Sequence, residues 1–394
     1  MRNLKHNLIT SYTSNGAIIL LLFSSMGCML LSVPTDIQLR VKRGRSFLIA
    51  ESEESYGWGV MSHPRLIQLS DSLLILQYYV GGDKVHRWFD PAGRKLRGMP
   101  PAVSTDGGKT WVFRGGGLDT NVLWHGHYWG YDVSTTNGVI LGRGKTAIRV
   151  DENAKIIDGP WNVLYEEEKW GAGRPWHRLA RMPNGNLIDS SYAERYSVNT
   201  NKRNRTYLLE SKDNGKYWHK RGVIAGGSTA PWGSEGPGES TIECLPDGTL
   251  LCISRTGYPL DMNKYTLPHK RPTESMLLSR STDGGETWVH TRMMQTGVYP
   301  RLLRMSNGVL VLGFGRPGNN LIFSTDNGST WGNELALTKA DVRTSGYVDI
   351  AEVAPGKLFV VFDMFDSDQN GIWLWEPKEV NGVSGCFVDV KKLW

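Results

Sequence analysis

One eight-residue pattern, Ser-x-Asp-x-Gly-x-x-Trp, is repeated four times in this chain and limits its fold more than any other feature. The copies run Ser104 to Trp111, Ser211 to Trp218, Ser281 to Trp288 and Ser324 to Trp331. Each reads as a tight turn: Ser and Asp side chains bond the turn's own backbone, Gly takes the position with φ > 0, and Trp packs beneath. A chain that needs the same turn four times is built from repeated strand pairs.

A second, quieter repeat supports this. Turn residues fall at Asp71-Ser72, Asn137-Gly138, Asn184-Gly185, Asp247-Gly248, Asn307-Gly308 and Pro355-Gly356, each followed by an apolar run such as Leu73 to Leu76 or Leu358 to Val361. These are hairpin signals. Successive turns lie 47 to 66 residues apart, about one four-stranded sheet with its loops. Six units result, with boundaries near 50, 120, 173, 233, 297 and 341, and the octets fall in units one, three, four and five. No long amphipathic helical pattern interrupts them. The polar stretches 199–205 and 259–272 read as loops.

Composition fits an all-β protein of many short strands, with 46 Gly, 15 Trp and 15 Tyr in 394 residues. A net charge of +6 favours an acidic ligand through long-range attraction. Nucleic acid is a poor partner, because Lys and Arg are scattered and no basic helix is present.

Residues 1–33 are of a different kind. Arg2 and Lys5 precede the apolar run Ala17 to Phe23, and small residues follow up to Gly27-Cys28. That layout is an export signal too short for a comfortable membrane span, so a periplasmic, cell-surface or secreted location is expected. Gly27-Cys28 also resembles the cleavage site of bacterial lipoproteins, although Ser25 stands where those sites usually carry Leu; the resemblance implies lipidation of Cys28 and membrane attachment. Cys244, Cys252 and Cys386 are too few and oddly counted for a disulfide framework, and read as apolar fillers.

The octet resembles the Asp-box of the sialidase (neuraminidase) superfamily, where it joins outer strands of a propeller blade away from the active site. The resemblance implies an all-β, six-bladed propeller over residues 48–394. In such a fold the first hairpin of each unit lines a central funnel. Nine residues before each turn Gly, or before Ser72, the chain places His63, Trp129, Trp176, Glu239, Tyr299 and Tyr347; sixteen further on come Tyr79, Lys145, Tyr192, Arg255, Gly315 and Asp363. Aromatic, acidic and basic groups at one rim suit a sugar pocket.

Two stretches match the family in content and spacing. Gly238-Glu239 to Leu250 with Arg255 is similar to its fourth-blade motif, and Tyr347 to Gly356 with Asp363 is similar to its final blade, with Asp in place of Glu. Arg316 stands where the family puts another substrate-binding Arg. The resemblance implies an exo-acting, retaining glycosidase with Tyr347 as nucleophile, Glu239 as its base, Arg255 and Arg316 in a carboxylate clamp, and Asp363, Trp176 and Tyr299 lining the pocket. No cofactor is implied, and no metal motif is visible. The chemistry is coherent: a neutral phenol avoids the repulsion that an anionic nucleophile meets at a carbon bearing a carboxylate. A phenol needs a neighbouring base to take its proton, and the planar fork of Arg suits a carboxylate.

The first unit departs from the family, which carries Arg-Ile-Pro where this chain has Ser62-His63-Pro64. Arg65, two places past His63, either reaches the pocket or braces the sheet, since Arg178-Leu179 and Arg301-Leu302 repeat its pattern. The acid falls to Asp83 or Asp90, with His86 a third candidate. Two other functions therefore stay open: a hydrolase or eliminating lyase acting on a uronate-containing glycan, with Tyr347 and histidines near the rim as the acid–base pair, and a sugar-binding protein without turnover. The last expects Glu239 and Tyr347 to lie too far apart to share a proton.

Overall fold

The computed structural model describes residues 38–51, 60–81, 87–89, 95–97, 101–127, 130–166, 175–193, 202–260, 273–342, 344–364 and 382–393. The expected export segment with Cys28, and also Asp83, His86, Asp90 and Trp129, lie outside them.

The described chain is all-β, with Thr120–His125 its one α-helix, capped by the Asp119 carboxylate on the Asn121 N–H at 2.7 Å. Six main sheets follow one another along the chain. Val60–Gln68 opens a three-stranded sheet, Tyr131–Thr135 and Leu187–Ala193 belong to five-stranded sheets, Ser240–Cys244 and Val298–Arg304 open four-stranded ones, and Val348–Ala354 ends a five-stranded one. A separate two-stranded ladder joins Arg87–Phe89 to Lys95–Arg97. The last main sheet draws on both ends of the described chain. Gln38–Arg43, ahead of the expected boundary at 48, pairs antiparallel with Gly382–Leu393.

All six expected hairpin turns lie between paired antiparallel strands. Because side chains alternate along a strand, neighbouring residues enter different cores. Leu250 and Cys252 pack with Ile188 and Leu208 of the preceding sheet, while Leu251 and Ile253 pack with Leu310 and Leu312 of the following one. The same division separates Leu66 from Ile67, Ile140 from Leu141, and Phe359 from Val360. Here lies the reason the strands are apolar without interruption: each sheet is covered on both faces. The first main sheet packs its Leu66 and Leu76 on Phe359 and Val361 of the last.

The four octets form the same turn between outer strands. Asp106 Oδ1 accepts from Ser104 Oγ at 2.8 Å and from the Thr110 N–H at 2.9 Å, and the Gly108 N–H donates to Ser104 Oγ at 2.8 Å. Asp213, Asp283 and Asp326 repeat this. Gly108 is irreplaceable twice over, since its φ is +92° and a Cβ there would lie 2.9 Å from the Phe359 ring.

Polar links tie the innermost strands across sheet boundaries. Buried Arg65 donates to the Asp132 carboxylate at 2.5 Å and to the carbonyls of His127 and Gly130 at 2.8 Å each. Arg301 grips Asp349 through two nitrogens at 3.1 and 3.2 Å, and Asp349 also accepts from the Leu66 N–H at 2.9 Å. A buried charge is tolerated when paired and hydrogen-bonded in this way.

Candidate active site

The hairpin Ser240–Cys244 with Leu250–Ser254 sets the first half of the site. Its register, Ser240 opposite Ser254, continues one step outward, where the Arg255 N–H donates to the Glu239 carbonyl at 3.1 Å and the Gly238 N–H to the Arg255 carbonyl at 2.9 Å. Glu239 and Arg255 thus leave the sheet side by side, and Arg255 Nη1 donates to Glu239 Oε2 at 3.1 Å. Tyr347 comes from the other direction. It follows Gly346, whose φ is +79° and whose missing Cβ gives room to the Arg316 and Val298 side chains, and it precedes strand Val348–Ala354. Its hydroxyl donates to Glu239 Oε1 at 2.6 Å.

The two oxygens of Glu239 are therefore divided between a phenol and a guanidinium. Burial alone would push this carboxyl up, but the Arg255 charge, the phenol's hydrogen bond and the more distant Arg316 outweigh it and hold Glu239 below its ordinary value. It stands ionised beside the Tyr347 hydroxyl that donates to it, the arrangement needed for a phenol to lose its proton as it attacks. The phenol and carboxylate lie within hydrogen-bond reach, not apart as the binding-only reading expects.

Aromatic rings fix the phenol. Tyr299 stacks on Tyr347 with centroids 3.6 Å apart and planes 8° from parallel, and His63 meets the Tyr347 ring edge-on at 4.2 Å. Trp176 stands against Tyr299 at 6.2 Å and Tyr192 at 5.9 Å, and its backbone N–H donates to the Asp189 carboxylate at 3.0 Å. Burial raises the Tyr299 phenol well above its ordinary value, so it stays protonated. Burial, and then the Arg316 charge, lower His63 to about 4, leaving its imidazole neutral at neutral pH.

His63, Tyr299 and Arg316 take left-handed backbone conformations, with φ of 56°, 49° and 61°. For residues with a Cβ each costs about 1–3 kcal/mol and persists only where the surroundings over-determine it. The first two sit in bulges, where pairing skips from Ser62 to Arg65 and from Val298 to Arg301. The shared His-Pro-Arg-Leu and Tyr-Pro-Arg-Leu wording encodes the shared geometry: an aromatic ring turned to the rim, then an Arg turned into the next sheet.

The remaining expected site residues divide. Arg316 lies at the rim, its Nε donating to the Ser345 carbonyl at 3.0 Å and its charge acting on Glu239, Glu235 and His63. Arg65 does not join the pocket, because its guanidinium is taken up by Asp132 and two carbonyls. Asp363 also departs from its expected place against a substrate. Fully buried, its carboxylate accepts from the N–H groups of His63 and Ser345 at 2.8 Å each, from Thr344 Oγ1 at 2.5 Å and from Ser345 Oγ, so it anchors the backbone beneath His63. Asp83 and Asp90 lie outside the described residues.

Glu235 belongs to the site and was not expected there. It receives Arg255 Nη2 at 3.0 Å, but it stands in the loop Ser234-Glu-Gly-Pro-Gly238 ahead of the hairpin, outside the repeat that found the other rim positions. Among the described residues no group of three or more His, Cys, Asp and Glu side chains is placed to hold a metal ion.

No protein-family model matches the chain, and no curated protein matches it by sequence. Solved structures do. A Dyadobacter fermentans protein of unknown function aligns at TM-score 0.60 and 15% identity over 89% of this chain and 99% of its own, a likeness of fold. The NanB sialidase of Streptococcus pneumoniae aligns at 0.49 and 14% identity over 88% of this chain and 70% of its own. A Trypanosoma rangeli sialidase mutant displaying trans-sialidase activity aligns at 0.48 and 13% identity over 89% of this chain, which spans 58% of the mutant's length.

Proposed function

We propose that the protein is a six-bladed propeller glycoside hydrolase, retaining and exo-acting, that cleaves an anionic sugar of the sialic acid type. The observation that carries this reading is the 2.6 Å hydrogen bond from Tyr347 to a carboxylate already paired with Arg255. In the first step the Tyr347 oxygen bonds to the anomeric carbon while its proton passes to Glu239; the bond to the leaving oxygen breaks, and that oxygen takes a proton from an acid assigned to Asp83 or Asp90. In the second step water attacks the same carbon, the acid residue takes the water's proton, and the phenol departs with the proton returned by Glu239. Two inversions give net retention. Arg316, with Arg255, is assigned to the substrate carboxylate, and Trp176 and Tyr299 to the walls of the pocket.

The six hydrophobic cores between successive sheets support the blade count. Export through residues 1–33, with Cys28 as lipid attachment point, completes the proposal by bringing the enzyme to extracytoplasmic glycans.

A second reading draws on His63, whose neutral ring lies 4.2 Å from Tyr347. In a uronate lyase this pair would remove the proton beside the carboxylate and protonate the leaving oxygen. Release of fluorophore from a fluorogenic sialoside, abolished in Tyr347→Phe, is the expected result. An unsaturated, ultraviolet-absorbing product from uronate polysaccharides, with the sialoside untouched, would replace the hydrolase by the lyase.

A further inference from the structure

We propose that Glu235 is a positioning residue of this site, sharing Arg255 with Glu239 so that the guanidinium stays charge-balanced when Glu239 receives the Tyr347 proton. The inference rests on the reading of Tyr347 and Glu239 as proton partners.

The geometry is a chain of four groups. Glu235 Oε1 accepts from Arg255 Nη2 at 3.0 Å, Arg255 Nη1 donates to Glu239 Oε2 at 3.1 Å, and Glu239 Oε1 accepts from Tyr347 at 2.6 Å. Among the described residues Arg255 Nε is buried without a hydrogen-bond partner, and the guanidinium's hydrogen bonds run to the two carboxylates. The ring of Tyr258 lies 5.4 Å from it.

Glu235 is built into this place. Its N–H donates to the Thr256 carbonyl at 3.1 Å and its carbonyl accepts from Asn204 at 2.7 Å. Beside it Gly257 has φ +99°, and a Cβ there would fall 2.6 Å from Glu235 Cγ. The glycine makes room for the carboxylate arm and directs it at Arg255.

Charge explains why a second carboxylate helps. With Glu235 ionised, the three groups carry a net single negative charge before the transfer. Once Glu239 holds the proton, an intact Glu235–Arg255 pair remains. Without Glu235 the same transfer would leave the buried Arg255 with the substrate carboxylate, itself shared with Arg316, as its anionic partner, and a buried charge with less compensation is costly at low dielectric. Glu235 also weakens the hold of Arg255 on Glu239, leaving Glu239 the better base. Consistently, burial and then the Glu239 charge raise Glu235 in spite of Arg255, while Glu239 is held low. Among the described residues, Arg316, His63, Tyr258, Tyr299 and Tyr347 also act on the cluster.

The test compares the full wild-type chain with Glu235→Gln and Glu235→Asp, each checked for folding by thermal unfolding. In protein carrying carbon-13 in its glutamate carboxyls, with the Glu239 signal assigned by its loss in Glu239→Gln, the Glu239 titration midpoint is expected to fall by roughly half a unit or more in Glu235→Gln, because a neighbouring negative charge is gone. With a fluorogenic sialoside, kcat is expected to fall roughly 10- to 100-fold with KM within about twofold, and Glu235→Asp to recover most of it. If Gln at this position prevents folding, Glu235→Asp carries the titration, with a smaller fall expected. An unmoved Glu239 midpoint in a folded variant overturns the proposal, as does a loss that lies wholly in KM. A fallen midpoint in a protein whose wild type ignores the sialoside upholds the coupling and removes the sialidase reading instead.

Discussion

Tyr347 and Glu239, 108 residues apart in sequence, meet through a 2.6 Å hydrogen bond, and the carboxylate's other oxygen is bound to Arg255. Removing the phenol oxygen takes away the group assigned to attack, while the ring's stacking on Tyr299 is kept. Tyr347→Phe is expected to lower kcat on a fluorogenic sialoside by at least about 10³-fold with its melting temperature little changed. Glu239→Gln is expected to lower it about 10²- to 10⁴-fold. Near-wild-type turnover by either variant would contradict these roles.

Arg65 tests the difference between a brace and a ligand for substrate. It is fully buried against Asp132, so Arg65→Ala takes the nearer cation from a buried carboxylate and leaves it to Arg178 at 3.9 Å. A loss of about 3–5 kcal/mol in urea-unfolding free energy is expected, partly restored in Arg65→Met combined with Asp132→Leu. A stable Arg65→Ala protein with a raised KM would return Arg65 to the pocket.

Gly108→Ala brings together two effects, a Cβ at φ +92° and an overlap with the Phe359 ring. A loss of about 2–4 kcal/mol is expected by chemical denaturation. The same change at Gly185, where φ is +89° but nothing lies within 4 Å of a Cβ, is expected to cost about 1 kcal/mol or slightly more, the backbone part alone. Equal losses at the two sites would show that the contact with Phe359 is without weight.

Stability should also follow the octet carboxylates into acid. Slight burial raises Asp106, but hydrogen bonds from Thr110, Ser104 and Lys109 outweigh it and lower its carboxyl to about 2. Asp326 is lowered in the same manner, and Asp283 through its bonds from Thr287 and Ser281. A folded value below the unfolded one means the unfolded chain takes up protons first. This support is complete above about pH 4 and lost as pH falls toward 2. The urea midpoint should fall over that window, less steeply in Asp106→Asn; identical slopes would contradict the assignment.

Much of this was legible because the signals are local. An octet whose Ser and Asp bond their own turn, or a hairpin whose turn residues fix its register, needs no distant partner to be recognised, and Glu239 opposite Arg255 follows from counting along two strands. Arg65, Asp363 and Glu235 resisted for the opposite reason. Arg65 shares a strand face with His63, yet a bulge between Ser62 and Arg65 alters what that face meets. Asp363 occupies a rim position by spacing, but four donors from residues 63, 344 and 345 take its carboxylate. Glu235 lies off the repeat, in a loop aimed by the absence of a side chain at Gly257.

The left-handed conformations of His63 and Tyr299, each followed by Pro, bear on any attempt to move this pocket to another scaffold. Copying the rings alone onto regular strands would point them along the ordinary pleat, where they could not close on a phenol from a different sheet. The transferable unit is the whole kinked tetrapeptide together with the acidic partner that its Arg seeks next door.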